Sequence, residues 1–148
     1  MDGQNPFQPP AAPLQDSDTA RLYSLRAVGW ATLFGSPLAG AFIITKNLRL
    51  LGRAADIRKT WALAVVLSVV LMGLSFVLPD NLSATGFTVA QVMGMYFYAK
   101  SLYETSLSQH GEKGGAFYSN WRAVGIGLLF MAGLLIAMVP VVIWLMPA

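Results

Sequence analysis

Residues 60–79 read TWALAVVLSVVLMGLSFVLP. Eleven of them are Leu, Val or Phe and none is charged. Near a helix centre each such residue favours insertion into lipid by about 0.3–0.6 kcal/mol, so the stretch favours it by several kcal/mol. Twenty helical residues reach about 30 Å, the thickness of the bilayer's hydrocarbon core. The stretch is expected to cross a membrane, and Pro79-Asp80-Asn81 behind it reads as a turn.

The whole chain agrees with that reading. Of its 148 residues, 55% are hydrophobic and only 11% charged, against about 25% charged in a typical soluble domain. This composition excludes a disordered chain, a coiled coil and an ordinary soluble enzyme core. The net charge of +3 comes from too few and too localised cations for a nucleic-acid surface. Without cysteine, disulfides, thiolate metal sites and cysteine nucleophiles are ruled out.

Three further runs have the length of a span. Residues 27–45 are free of charge but interrupted by Gly29, Gly35, Gly40 and Ser36-Pro37. Residues 85–103 are diluted by Gln91, Gly94, Tyr96 and Tyr98, and form the weakest candidate. Residues 123–146 are uncharged and contain Pro140, which predicts a kink near Ile136. The expectation is an all-α membrane bundle of four transmembrane helices over about 27–45, 60–79, 85–103 and 123–146. A Pro-rich tail, residues 1–20, precedes it and is expected to be disordered, because it buries too little apolar surface to offset its ordering entropy.

Lys and Arg set the orientation. With four spans, eight lie on one side and two on the other; if the third run does not span, the split is five and five. The four-span arrangement is favoured, with both termini outside and both basic loops in the cytoplasm. Trp30, Trp61, Trp121 and Trp144 then fall two at each face. One pattern opposes it: Arg26-Ala27-Val28-Gly29 recurs as Arg122-Ala123-Val124-Gly125, each behind a Tyr-Ser pair. Four spans put these two helix starts on opposite faces. Matches of four residues often arise by chance, and the charge distribution takes precedence.

Small residues offer the first functional candidates. Ala27, Ala31, Gly35 and Ala39 recur every four residues, and Ala123 and Gly127 repeat that spacing. Such stripes let helix backbones approach closely. Packing within the monomer is the favoured reading, and oligomerisation the functional one. Lys46, Arg49, Arg53, Arg58 and Lys59 are candidates for anionic lipid headgroups, although fixing topology alone also accounts for them. Ser36 and Pro37, with Gln91, form a candidate solute site, because a broken helix frees backbone groups at membrane depth. His110, the single histidine, reads as a solvated loop residue. No catalytic set, carboxylate pair or metal-ligand cluster is legible, so neither an enzyme nor a cofactor is expected. The first helix is expected to end near Gly52.

The stretch Gly35-Ser36-Pro37-Leu38-Ala39-Gly40, followed by Asn47 and Leu51-Gly52, resembles a pattern in uncharacterised small bacterial multi-pass inner-membrane proteins. Tyr96 to Tyr103, His110, Gly114-Gly115 and Ser119 to Trp121 resemble their second halves. The resemblance implies a bacterial inner-membrane location and no particular activity. The leading expectation is a non-enzymatic interaction or assembly protein, partnered by membrane lipids and by a copy of itself or another membrane protein, with toxin immunity as one form of that role. The alternative is a small transporter or channel subunit that uses the broken first helix.

Overall fold

The computed structural model describes residues 20–77 and 84–145. The expected tail and the Pro79-Asp80-Asn81 turn lie outside the described residues. Four α-helices follow one another: α1, Leu25–Leu50; α2, Ala55–Val77; α3, Ala84–Glu112; and α4, Asn120–Leu145. Leu25–Leu50, Ala55–Leu74 and Asn120–Pro140 are long and apolar enough to cross a membrane. Four helices were expected and four form, but the third does not reach that hydropathy.

The first helix departs most from expectation. Its backbone leaves the helical region at Ser36, with φ 78° and ψ 171°. There the chain reverses. In a straight helix, Tyr23 and Asn47 would lie about 36 Å apart. Instead the Tyr23 N–H donates to Asn47 Oδ1 at 2.8 Å, and Asn47 Nδ2 donates to the Tyr23 carbonyl at 2.7 Å. A Cβ at Gly40 would run into the Thr32 hydroxyl eight residues away, which also requires two legs side by side. The expected single span over 27–45 is therefore a helical hairpin. Its first leg ends at Gly35 and its second begins at Pro37, a residue suited to a first helical position because its missing N–H has no intrahelical role there. Each leg is about 15–20 Å long, roughly half a bilayer.

Both ends of the hairpin are capped. Ser24 Oγ accepts from Ala27 N–H at 3.2 Å. At the other end the chain turns at Gly52, where φ is +70°. Gly52 N–H donates to the Arg49 carbonyl at 3.3 Å and Arg53 N–H to the Leu48 carbonyl at 2.8 Å. These paired bonds form the left-handed glycine stop that the sequence places near Gly52.

The hairpin is the core of the molecule. Val28, Ala31, Ile43, Ile44, Asn47 and Leu48 are fully buried. Helix α3 packs along one side of it, with Val92 near Gly29 and Met95 near Gly40. Helix α4 packs along the other, with Gly127 against Ala31 and Phe34 and the Phe42 and Phe130 rings 5.6 Å apart. Among the described residues the backbones of α3 and α4 do not approach each other closely. Helix α2 runs antiparallel to α3. Arg53 Nη1 donates to the Leu102 carbonyl, and the Thr60 and Tyr98 hydroxyls lie 3.3 Å apart. Both α2 and α4 expose long apolar faces, including Val66, Val69, Met72, Leu129, Ile136 and Ile143.

The starts of α1 and α4 lie side by side, in parallel. Leu22 N–H donates to the Ala116 carbonyl at 3.2 Å and Tyr118 N–H to the Leu22 carbonyl at 2.9 Å. The Tyr23 and Tyr118 rings are 4.6 Å apart, and Ser24 Oγ donates to Asn120 Oδ1 at 3.2 Å. The two Arg-Ala-Val-Gly segments thus sit at one end of the molecule. This corrects the arrangement in which α1 and α4 run in opposite directions. The physical reason is the reversal at Ser36: α1 returns to the end where it began. Trp30 and Trp121, which the expected two-and-two belt put at opposite faces, line one pocket.

Helix α3 bends at Tyr103, where φ is −143°, and its last turns lie across the open end of the hairpin. Leu107 and His110 are buried there. His110 Nε2 is 3.1 Å from the Ala116 carbonyl, and its ring meets Phe117 edge-on at 5.3 Å. The expected solvated loop histidine is therefore a packed residue of α3. In α4 the helix continues through Pro140 without a break of the kind found at Ser36.

Candidate functional site

The hairpin's tip lies between α3 and α4 and forms the floor of a groove of about 280 Å³. Thr32, Gly35 and Ser36 line it from the hairpin, Thr88 and Gln91 from α3, and Met131, Leu135 and Met138 from α4. Three features set this place apart from ordinary helix packing.

The first is backbone conformation. A φ of 78° with ψ near 180° is a region populated almost only by glycine, because a Cβ crowds the neighbouring carbonyls there. Holding serine in it costs about 1–3 kcal/mol. The surrounding packing must enforce it, and strain of this kind tends to collect at functional sites.

The second is the Ser36 hydroxyl, which is buried and has no hydrogen-bond partner among the described residues. An orphaned buried hydroxyl costs about 1–3 kcal/mol. The third is the pair of helix ends. The last carbonyls of the first leg and the first N–H groups of the second lack intrahelical partners. They bring the negative end of one helix dipole and the positive end of another to the same spot. Among the described residues no Asp, Glu, Lys or Arg lines the groove.

Of the residues singled out in the sequence, Ser36 and Gln91 thus meet in one groove, and Pro37 is fully buried beside it. Thr88 joins them. One polar residue one turn before Gln91 carried too little signal to stand out.

The small residues take a different part. A Cβ at Gly35 would overlap the backbone of Gly127, and one at Gly127 would lie 2.9 Å from the Ala31 carbonyl oxygen. Ala27, Ala31 and Ala39 are fully buried. Their contacts lie within the chain: they bring α4 onto the hairpin and hold its tip against the groove.

The basic candidates divide. Arg53 Nη2 pairs with Asp56 at 2.7 Å, and Lys59 reaches the same carboxylate at 3.5 Å. Arg58 is exposed on α2 next to Lys59. Lys46 and Arg49 lie apart from these, on the second leg of the hairpin, beside Tyr23, Tyr118 and Arg122. Among the described residues no group of three His, Asp or Glu side chains comes together as metal ligands.

No protein family, curated protein or solved structure matches the chain. What the fold defines is a class, an all-α protein with helices suited to a membrane, built around a helical hairpin.

Proposed function

We propose that the protein is a small transporter or channel subunit that binds a small uncharged polar solute at the tip of the hairpin. The observation that carries this reading is Ser36, a strained residue with an orphaned hydroxyl in a groove that Gln91 and Thr88 also line. A solute with its own donors and acceptors would pair with the Gln91 amide in the groove, and with the Ser36 hydroxyl once the tip yields to admit it. A charged solute fits less well, since among the described residues no opposite charge lines the groove to offset its desolvation.

In this reading α2, α3 and α4 cross the membrane and the hairpin re-enters it from one side. All ten Lys and Arg residues then fall on the side of the hairpin's open end, a steeper asymmetry than the eight and two of four spans. The positive-inside rule turns that end to the cytoplasm, which in a bacterial inner membrane leaves the C-terminus outside.

The test is solute-driven swelling of proteoliposomes with glycerol and urea as probes and potassium as the ionic comparison. Glycerol or urea entry above that of protein-free vesicles is expected, reduced by Gln91→Leu and by Ser36→Gly, with no potassium flux. Entry no faster than in empty vesicles, or entry that neither substitution changes, refutes the reading.

The reading as an interaction or assembly protein ranks second. Its remaining support is the apolar faces of α2 and α4, which lipid covers equally well. A specific crosslink from either face in native membranes would favour it.

A further inference from the structure

A second site stands at the opposite end of the hairpin from the solute groove and does not depend on it. Lys46 and Arg49 on the second leg, Arg122 in the first turn of α4, and the rings of Tyr23 and Tyr118 enclose a cavity of about 290 Å³. These residues come from three stretches of the sequence, around 23, 46–50 and 118–122. The Asn47–Tyr23 bonds and the Leu22–Phe117 pairing bring them together.

The chemistry of this cavity is one-sided. Among the described residues no carboxylate forms an ion pair with Lys46, Arg49 or Arg122, whereas Arg53 and Lys59 share Asp56 and Lys100 pairs with Glu104. Two of the three cations lean instead on aromatic faces. Lys46 Nζ is 5.4 Å from the centre of the Phe42 ring, and Arg122 Cζ is 4.5 Å from that of Tyr118. A ring face orients a cation but does not neutralise it. Three like charges held around one cavity repel each other, and an anion placed among them removes that cost. Arginine offers a planar fork that matches phosphate oxygens in pairs, and Lys adds a point charge. Burial raises the Tyr23 hydroxyl above its ordinary range although Arg122 opposes this, so the phenol stays protonated near neutral pH.

We propose that this cavity binds a phosphate ester, supplied by an anionic lipid headgroup or by a soluble organic phosphate. The cations lie where the hairpin's basic end meets the apolar faces of α1 and α4, the level at which lipid phosphates lie when those faces are in hydrocarbon.

The test uses the full chain in nanodiscs of phosphatidylcholine with a minor share of phosphatidylglycerol, read by native mass spectrometry. A second arm supplies glycerol 3-phosphate to nanodiscs of phosphatidylcholine alone. Retention of phosphatidylglycerol above its share in the disc is expected. Lys46→Gln, Arg49→Gln and Arg122→Gln should each weaken it about fivefold, the equivalent of ~1 kcal/mol per cation. Arg122→Lys, which preserves the charge, should lose less and reports on folding. Binding of glycerol 3-phosphate without lipid enrichment supports the site and assigns it to a soluble ester. The proposal is overturned if neither probe is retained. It is equally overturned if Arg58→Gln, outside the cavity, weakens retention as much as Arg122→Gln does, since that marks diffuse surface charge.

Discussion

Asn47 is the latch of the hairpin, and its removal should open the molecule. The side chain is fully buried and bonds both the N–H and the carbonyl of Tyr23, 24 residues earlier in the chain. In Asn47→Leu those two backbone groups are left buried and unpaired. Each such loss costs about 1–3 kcal/mol, or roughly 2–6 kcal/mol together. At about 2–4 °C per kcal/mol for a chain of this size, Tm should fall by on the order of 10 °C. Asn47→Asp keeps the shape but loses the donor to the Tyr23 carbonyl, so it should fall part of the way. The opening can be read directly, because the chain has no native cysteine. Spin labels on Arg26→Cys and Arg49→Cys, both exposed sites, would sit about 35 Å apart on a straight helix. Across two packed legs the backbones are only about 10 Å apart. Pulsed electron resonance should give a short, narrow distance in the parent chain and a longer, broader one after Asn47→Leu. A parent distance near 35 Å refutes the hairpin. An unchanged Tm and distance in Asn47→Leu refute the latch.

Three further outcomes follow from the same geometry. With single cysteines in intact cells, Arg26→Cys, Arg49→Cys and Glu112→Cys should share one labelling behaviour and Thr85→Cys should show the opposite one; opposite labelling at 26 and 49 restores a first helix that crosses. Gly127→Ala should destabilise by about 1–3 kcal/mol, because its Cβ meets the Ala31 carbonyl and Phe34, while Gly125→Ala, with open space around it, should stabilise by up to about 1 kcal/mol; thermal unfolding of the two separates close helix approach from helix propensity. Ser36→Gly should raise stability by about 1 kcal/mol, the relief of a strain of about 1–3 kcal/mol less the entropy that glycine loses on folding, and loss of stability instead would show that the Ser36 hydroxyl has a partner.

Several features were legible in the sequence for local reasons. The density of Leu and Val in residues 60–79 and the absence of charge beyond Arg122 mark α2 and α4 without reference to any neighbour. Gly52 marks the end of α1 because few other residues tolerate its left-handed turn. Ser36-Pro37 marks a weak point, since proline interrupts helical bonding wherever it falls. These properties depend on composition and backbone chemistry alone.

The direction of the chain after Ser36 was not among them. A break can bend a helix slightly or fold it back, and the residues at the break do not choose between the two. That choice rests on contacts between distant positions: Asn47 with Tyr23, Gly40 with Thr32, and Gly35 with Gly127. The side on which each cation lies depends on it as well, so charge counting along an assumed straight helix placed Arg21 and Arg26 away from Lys46 and Arg49. The same holds for Arg122, which joins Lys46 and Arg49 only once α1 and α4 start side by side. Sequence determined which segments prefer lipid and where the backbone gives way. Tertiary structure decided that the first helix doubles back on itself and which polar groups meet, because both are set by packing between residues that the sequence keeps far apart.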